Sequence, residues 1–414
     1  MRALALALPA LLLLGSCKLI ELDRNIVEAK TAGGVAGKVA HSERDPQSIV
    51  VFTLREQAGG WVADNHAGLT ANGGFLLRLE AGKRYRIGAF ADRNGNRVPD
   101  AGEPAVLAPQ PFTAAQGWSG LTRVELAIPA QGRLPQATLD ALKDLPKVER
   151  TTAPVWAGEV ASLDDERFSE ESGEMGLWTP LDFLAHVGIG VFFVEPYDAK
   201  RIPIVFVSGA GGSPSEWRTI VDSLDRTRYQ AWFYVYPSGQ RLDQSATMLQ
   251  AVIRELHKKY GFERLYVTAH SMGGLVARGY IQHSALMGDA GYVRLFVTLS
   301  TPWLGHRMAQ KGVERSPAVI PSWIDMQTNS EYQKAIFAKP LAPPLRYYLL
   351  YSQTDPKAPV ETATDGAVAV SSQLRAEAVR DARQVLGFTE THTSILRSSN
   401  AISAYQRILR EADQ

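Results

Sequence analysis

Ser271 has the sequence context that most clearly indicates a chemical role. It lies in the segment Ala269-His270-Ser271-Met272-Gly273-Gly274. An apolar, strand-like run, Arg264 to Thr268, precedes this segment, and a helical stretch, Leu275 to Ser284, follows it. A serine with small residues at positions −2 and +2 fits a sharp strand-to-helix turn, because bulky neighbours would clash there. Such a serine becomes a nucleophile when a general base takes its proton and a third group orients that base.

The segment around Ser271 resembles the nucleophile elbow of the α/β-hydrolase family, in which serine, acid and histidine follow in that chain order. Three of the histidines follow Ser271: His283, His306 and His392. His283 falls within the helix after the elbow, and His306 comes too soon after the next strand. His392 comes shortly before the last helix, where the family presents its base. We therefore predict that His392 is the general base.

Two aspartates follow the predicted strand Leu345 to Tyr351 and are candidates for the acid that orients His392. Asp355 comes directly after the strand. Asp365 begins the segment Asp365-Gly366-Ala367-Val368, which resembles the Asp-Gly-x-Val segment of lipases. The resemblance favours Asp365, whose carboxylate would fix the histidine tautomer and stabilise the imidazolium ion. Asp355 stays open as the alternative.

Acyl transfer also needs two backbone N–H donors aimed at the charge that develops on the substrate carbonyl oxygen. One donor is expected from Met272, directly after the nucleophile. The loop Ser208-Gly209-Ala210-Gly211-Gly212 resembles the His-Gly-x-Gly-Gly stretch of bacterial lipases, which makes Ala210 the second donor. Ser208 stands where the family usually has histidine. The loop lacks the Lys-Ser/Thr ending of a phosphate-binding P-loop, which argues against a nucleotide site.

A further motif, Thr301-Pro302-Trp303-Leu304-Gly305, resembles the Thr-Pro-x-x-Gly turn of triacylglycerol lipases. The resemblance to this family covers residues 200 to 400. Residues 305–344 form an insertion with many apolar side chains, which fits either a lid over the active site or helical packing against the sheet. A lid would favour a lipid or a long-acyl ester as substrate.

The elements that must position these residues lie in 177–414, where strands and helices alternate. Ile202 to Val207 is a buried-type strand, and Asp243 to Tyr260 is a long amphipathic helix. This alternation predicts a mostly parallel sheet with helices on both faces. The predicted fold class is α/β, with an α/β-hydrolase fold preceded by a small all-β sandwich domain.

Residues 32–130 are predicted to form the β-sandwich, because they contain short alternating runs separated by turn residues. In pattern they resemble the transthyretin-like modules that are often attached to secreted proteins. Residues 131–176 are polar and acidic, and we predict a linker with a surface excursion. The strand-like runs of the module are Gly34 to Val39, Ser48 to Leu54, Phe75 to Leu79, Tyr85 to Phe90 and Thr122 to Ile128.

One loop of this module has the oxygen-ligand spacing that calcium prefers. Oxygen-bearing side chains occupy positions 1, 3, 5, 9 and 12 of the loop: Asp92, Asn94, Asn96, Asp100 and Glu103. The loop resembles an EF-hand-type or dockerin-type site, except that Arg97 stands at the sixth position in place of glycine. A structural calcium ion is one expectation, and a polar hairpin closed by Asx turns is the other.

The resemblance to hydrolases implies that catalysis itself requires no cofactor.

Residues 1–16 are predicted to be a targeting signal rather than part of the fold. Arg2 precedes an apolar run, Ala3 to Leu14, that is short for a transmembrane helix. The ending Leu14-Gly15-Ser16-Cys17 resembles the bacterial lipobox, in which the cysteine is diacylated, and Cys17 is the only cysteine. We therefore expect a lipid anchor in the bacterial cell envelope, with residues 17–31 as a tether. By resemblance to the sorting rule of enterobacterial lipoproteins, Lys18 after the cysteine favours the outer membrane. An ordinary signal peptide is the alternative.

The composition is that of an ordinary globular protein, with 414 residues, 45% of them hydrophobic, and a net charge of +1. This balance gives no support for nucleic-acid binding. The sequence predicts a lipid-anchored serine hydrolase, a lipase or esterase acting on an ester or lipid substrate. A phospholipase or acyltransferase is the runner-up. One alternative is a catalytically silent envelope-binding module. Another is that the β-module carries the main function.

Overall fold

The computed structural model describes residues 18–28, 32–43, 48–69, 74–100, 102–116, 122–143, 145 and 155–413. The chain divides into two compact units, one containing Trp156–Phe183 and Gly190–Gln414, the other Arg24–Val155. Of the described residues before Arg24, 18–23 belong to the first unit, and Leu184–Ile189 belong to the second. Residues 18–28 form a helix, α1, within the stretch predicted as a tether. Across the described residues, no helix combines the length and the apolarity needed to cross a membrane.

The all-β unit consists of two sheets among the described residues, with the strand orders β4-β1-β8 and β3-β2-β5-β6, and β7 beside β5. Inward side chains of both sheets, among them Val35, Val51, Leu77 and Ile87, share one hydrophobic core, as in a sandwich. The pairing is antiparallel except between β1 and β8, which run parallel. The strands are β1 (Ala32–Ala40), β2 (Ile49–Gln57), β3 (Gly60–Gly68), β4 (Gly74–Glu80), β5 (Arg84–Ala91), β6 (Ala105–Leu107), β7 (Phe112–Thr113) and β8 (Thr122–Ala127).

A mostly parallel sheet is the frame of the other unit, with the strand order β16-β15-β14-β13-β11-β12-β10-β9. Every pair from β12 through β11 to β16 is parallel, whereas β10 runs antiparallel to β12. The strands β11 to β13 are buried at every residue, which is typical of strands covered on both faces. These strands are β9 (Val155–Val160), β10 (Ile189–Phe193), β11 (Ile202–Val207), β12 (Tyr229–Val235), β13 (Leu265–His270), β14 (Val293–Leu299), β15 (Arg346–Gln353) and β16 (Gln384–Thr389).

The longest helix illustrates how the sequence produces these elements. In α6, the apolar residues Leu249, Val252, Ile253 and Leu256 recur at helical spacing and are buried, and the helix ends at Gly261 with a left-handed φ of 64°. The helices are α2 (Gln136–Leu142), α3 (Glu170–Trp178), α4 (Pro180–His186), α5 (Arg218–Asp222), α6 (Leu242–Tyr260), α7 (Met272–Leu286), α8 (Arg307–Arg315), α9 (Pro321–Met326), α10 (Glu331–Ile336), α11 (Val370–Gln373), α12 (Ala376–Asp381) and α13 (Ser399–Ala412).

The segment predicted as a linker, residues 131–176, contains defined elements: α2, β9, a 3₁₀ turn at Glu166–Phe168 and most of α3. The unit that holds the parallel sheet includes Trp156–Phe183, a stretch that spans the predicted boundary at residue 177. The domain bounds stay a prediction. The elements within residues 131–176 were not predicted from the sequence because the stretch is polar overall. Its strand, β9, lies at the sheet edge and is only half-buried along most of its length. Phe168, which is fully buried, packs against Phe192 and Phe233 of the sheet.

Candidate active site

Ser271 occupies a strained turn between β13, which ends at His270, and α7, which begins at Met272. Its backbone has a φ of 53° and a ψ of −131°, a conformation that costs free energy in any residue other than glycine. A Cβ atom at Gly273 would lie 2.3 Å from the Val207 carbonyl oxygen, and one at Gly274 would lie 2.1 Å from Thr301 Oγ1. Small residues are required after the serine because α7 packs directly on neighbouring backbone.

The structure brings Ser271, His392 and Asp365 together, although they are far apart in the sequence. His392 Nε2 lies 2.8 Å from Ser271 Oγ, and His392 Nδ1 lies 2.7 Å from Asp365 Oδ2. The backbone N–H of His392 also donates to the backbone carbonyl oxygen of Asp365 at 2.9 Å. Because an ionised carboxylate can only accept, Nδ1 carries the ring proton and Nε2 is free to accept the serine proton.

The Asp365 carboxylate is fully buried and held by four donors in addition to His392. Oδ1 accepts from the N–H groups of Ala367 at 2.9 Å and Val368 at 2.7 Å. Oδ2 accepts from Ser352 Oγ at 3.0 Å and from Gln373 Nε2 at 3.1 Å. Burial alone would raise the pKa of Asp365, but His392 and the two backbone donors outweigh it and lower the pKa, so the carboxylate is charged.

Asp355, the alternative acid, lies elsewhere. Its side chain is exposed, and its carboxylate accepts a hydrogen bond from the Lys357 N–H at 2.9 Å, closing a local turn. Of the two aspartates left open by the sequence, Asp365 is the one beside His392.

The loop after β11 runs directly alongside the serine. A Cβ atom at Gly209 would lie 2.8 Å from Ser271 Cβ and 3.3 Å from Ser271 Oγ. In this loop the Gly211 N–H donates to Ser238 Oγ at 2.9 Å, and the Gly212 N–H to the Gly209 carbonyl at 3.2 Å. No described residue accepts a hydrogen bond from the Ala210 N–H. Met272 is the first residue of α7, and the N–H groups of the first turn have no partner within the helix. The N–H groups of Ala210 and Met272, predicted to bind the oxyanion, are therefore both available.

Ser208, which stands in place of the family's usual histidine, anchors this loop through its own contacts. Its hydroxyl accepts from Trp217 Nε1 at 2.9 Å and donates to the Ser213 carbonyl at 3.2 Å. Its carbonyl accepts from the Tyr236 hydroxyl at 2.7 Å. The departure from the family pattern therefore leaves the loop firmly held.

Because Gly209 lies directly against Ser271, we expect Gly209→Ala to lower kcat/KM by about 100-fold through displacement of Ser271 or of the loop. The control is Gly291→Ala, where an added Cβ would meet no described atom within 4 Å. Ester hydrolysis by the two variants, with circular dichroism to verify folding, measures the effect. Equal activity of both variants would show that the loop is not in contact with the reacting serine.

Residues 305–344 form the three short helices α8, α9 and α10. Tyr332 of α10 packs against α7 and donates from its hydroxyl to the Leu275 carbonyl at 3.0 Å, which fits the packing alternative. Met308 and Ile324 are nevertheless 62% and 39% exposed. The lid stays a prediction that concerns these exposed apolar residues.

The calcium-like loop of the all-β unit is closed by its own hydrogen bonds. The Asp92 carboxylate accepts from the N–H groups of Asn96 at 3.1 Å and Arg97 at 3.0 Å. The side-chain oxygens of Asn94 and Asn96 each accept from the N–H two residues on, as in Asx turns. Glu103 accepts from the N–H groups of Arg93 and Asp100, while Asp100 accepts from the Asn94 and Asn96 amides. Within the described part of the chain, no three acidic, histidine or cysteine side chains could together hold a metal ion. Calcium binding stays a prediction.

Residues 204–412, just over half of the chain, match the model of the Alpha/beta hydrolase family. The chain belongs to the alpha/beta hydrolase family. The predicted fold class is thereby confirmed: an α/β-hydrolase fold with a mostly parallel sheet, and an all-β region of antiparallel sheets before it. The assignment to transthyretin-like modules stays a prediction, and Cys17 lies outside the described residues.

Several solved structures are similar to this alpha/beta hydrolase. The mature lipase BlEst2 of Bacillus licheniformis is 20% identical over 53% of this chain and 97% of that one, with a TM-score of 0.41. Aspergillus fumigatus lipase B is 15% identical over 53% and 56% of the two chains, with a TM-score of 0.41. A type II thioesterase from the yersiniabactin pathway is 15% identical over 53% and 96%, with a TM-score of 0.36. No curated protein matches the chain.

Proposed function

We propose that this alpha/beta hydrolase cleaves carboxylic esters, as a lipase or esterase, through a Ser271-His392-Asp365 triad. The observation that carries the proposal is the pair of hydrogen bonds from Ser271 Oγ to His392 Nε2 at 2.8 Å and from His392 Nδ1 to Asp365 Oδ2 at 2.7 Å. This arrangement supplies a nucleophile, its base and the group that orients the base.

The reaction follows from these contacts. Ser271 Oγ attacks the ester carbonyl while His392 Nε2 takes its proton, and the negatively charged Asp365 stabilises the imidazolium ion. The N–H groups of Ala210 and Met272 bind the developing oxyanion. His392 then gives its proton to the departing alcohol, leaving an acyl-enzyme at Ser271. A water molecule, activated by His392 in the same way, releases the acid and restores the serine.

An ester panel tests the proposal. Nitrophenyl esters of increasing acyl length, together with a phospholipid and a triacylglycerol, are assayed with the full chain, with and without an added alcohol as competing acceptor. We expect release of the free acid from at least one neutral carboxylic ester. A preference for phospholipid, or for acyl transfer to the added alcohol, would assign the triad to the runner-up activities. Failure to turn over any ester would contradict the proposal.

We also propose that the hydrolase is anchored through lipidated Cys17 in a bacterial envelope membrane. The support is the apolar run that ends in Leu14-Gly15-Ser16-Cys17. We expect the expressed chain to incorporate an alkyne-labelled palmitate and to sediment with membranes, because two or more acyl chains hold a protein stably. Cys17→Ser should lose both the label and the membrane association, whereas Ser16→Ala, a control beside the cysteine, should keep both. Labelling of Cys17→Ser at the wild-type level would refute the anchor.

A further inference from the structure

A carboxyl group that the proposed reaction does not use lies behind the loop that carries Ala210. Glu216 belongs to the 3₁₀ turn Pro214–Trp217, and its side chain is 22% exposed. A Cβ atom at Gly212 would lie 2.9 Å from Glu216 Oε2 and 3.0 Å from Oε1, so the carboxyl group rests directly against the loop. Oε1 is buried and has no hydrogen-bond partner among the described residues. A buried oxygen without a partner is costly and calls for an explanation.

The side chain that faces this oxygen is also incompletely partnered. His270, the residue before the nucleophile, donates from Nε2 to the His392 carbonyl oxygen at 2.8 Å. A carbonyl can only accept, so Nε2 carries the ring proton and Nδ1 presents a lone pair, because burial lowers the pKa of His270 to about 3. Nδ1 has no hydrogen-bond partner within the described chain and lies 3.9 Å from Glu216 Oε1.

Two acceptors therefore face each other if Glu216 is ionised, whereas a protonated carboxyl group has a proton to donate to the His270 lone pair. Burial raises the pKa of Glu216 to about 7, against the opposing effects of the Ser208 hydroxyl, the Gly209 backbone and the Arg397 charge. Tyr236 faces the same carboxyl group and stays neutral because burial raises its pKa. His392 and Asp365 lie on the far side of His270.

We propose that Glu216 is a positioning residue: as a neutral acid it closes the observed 3.9 Å separation from His270 Nδ1 to hydrogen-bond distance, and so ties the oxyanion loop to the strand end that carries Ser271. The kinetic test of this inference rests on the proposed function, because it requires that the protein hydrolyses an ester. Since the folded-state pKa is raised above the ordinary value, the bond is present at low pH and is lost as pH rises through about 7. Ionisation would loosen the loop and weaken stabilisation of the transition state.

The decisive variant is Glu216→Gln, because glutamine has nearly the same shape, is neutral at every pH and can donate an N–H to His270 Nδ1. For the wild type we expect kcat to fall by about 100-fold above pH 7, the lower end of the range that loss of an oxyanion donor costs, with little change in KM. Glu216→Gln should keep the low-pH kcat and lose this alkaline decline. Glu263→Gln, the same change at an exposed residue, should behave as the wild type. An unchanged alkaline decline in Glu216→Gln, or its inactivity at all pH values, would overturn the proposal.

A second measurement does not depend on turnover. In the Ser271→Ala background, carbon-13 NMR of labelled glutamate carboxyl groups should show one signal that titrates near pH 7 and disappears on Glu216→Gln substitution. A Glu216 signal that titrates at the ordinary glutamate pKa would overturn the inference even if the enzyme is active. If no ester is hydrolysed but the signal titrates near neutrality, the inference stands and the proposed function fails.

Discussion

Ser271→Ala is expected to lower kcat for ester hydrolysis by about 10⁵- to 10⁶-fold, because it removes the nucleophile on which the other groups act. The side chain of Ser271 makes the 2.8 Å contact with His392, while the backbone turn is built by β13, α7 and the glycines behind it. Alanine meets the same backbone strain as serine at a φ of 53°, so the fold should persist. Stopped assays with a nitrophenyl ester measure the loss.

The matched control for this experiment is Ser284→Ala, which removes a buried serine hydroxyl from the same helix, α7, away from the site. We expect it to retain wild-type kcat and KM. Thermal unfolding of both variants should resemble that of the wild type. Activity of Ser271→Ala within tenfold of Ser284→Ala would assign the nucleophile to another residue.

Asp365→Asn is expected to lower kcat by about 10⁴-fold, although it changes only one oxygen to an amide group. The amide would present N–H atoms to His392 Nδ1 and favour the tautomer in which Nε2 is protonated and cannot accept from Ser271. The lowered pKa of Asp365 keeps the wild-type carboxylate charged at neutral pH. Its stabilising contribution is present above the ordinary pKa of aspartate and is lost only as pH falls through the folded-state value.

Asp355→Asn is the control for this prediction, since both aspartates follow β15 and only Asp365 contacts His392. Its exposed side chain should be dispensable, with kcat and KM within about twofold of the wild type, the range usual for surface substitutions. The reverse ranking of the two variants in the ester assay would contradict the assignment of Asp365.

The residues of the proposed triad could be predicted because each leaves a local signal. The elbow around Ser271 needs particular residue sizes, since a side chain at Gly273 or Gly274 would collide with Val207 or Thr301. Asp365 and His392 stand where loops leave β15 and β16, and the carboxyl ends of parallel strands meet at one edge of the sheet. Spacing and chain order indicated Ser271 and His392, whereas the preference for Asp365 over Asp355 came from the resemblance of its segment to that of lipases.

The supporting residues could not be predicted because they act through contacts that spacing does not encode. Ser352 and Gln373 hold Asp365, but a serine at a strand end and a glutamine in a short helix are common in any protein. Glu216 reads as a surface residue within Ser213-Pro214-Ser215-Glu216-Trp217, and only the fold places it against His270. Ser352 does leave one signal, a polar side chain in the mostly buried strand β15, but this signal does not identify Asp365 as its partner.

Two parts of the architecture were also beyond sequence reasoning. Parallel pairing of β1 with β8 joins the two ends of the all-β unit, and alternation of side chains is the same for either strand direction. Residues 131–176 suggested a linker because of their acidic residues, which lie in α3 and just before it, whereas β9 is a short, half-buried strand at the sheet edge.

Covalent labelling at a single serine is the sharpest test of the proposed triad. The full chain is treated with a fluorophosphonate, which reacts with an activated serine hydroxyl, and the modified peptide is located by mass spectrometry. We predict stoichiometric modification of Ser271, none in Ser271→Ala, and slow modification in Asp365→Asn. Labelling of another residue, or of wild type and Ser271→Ala alike, would contradict the proposal that Ser271 is the nucleophile.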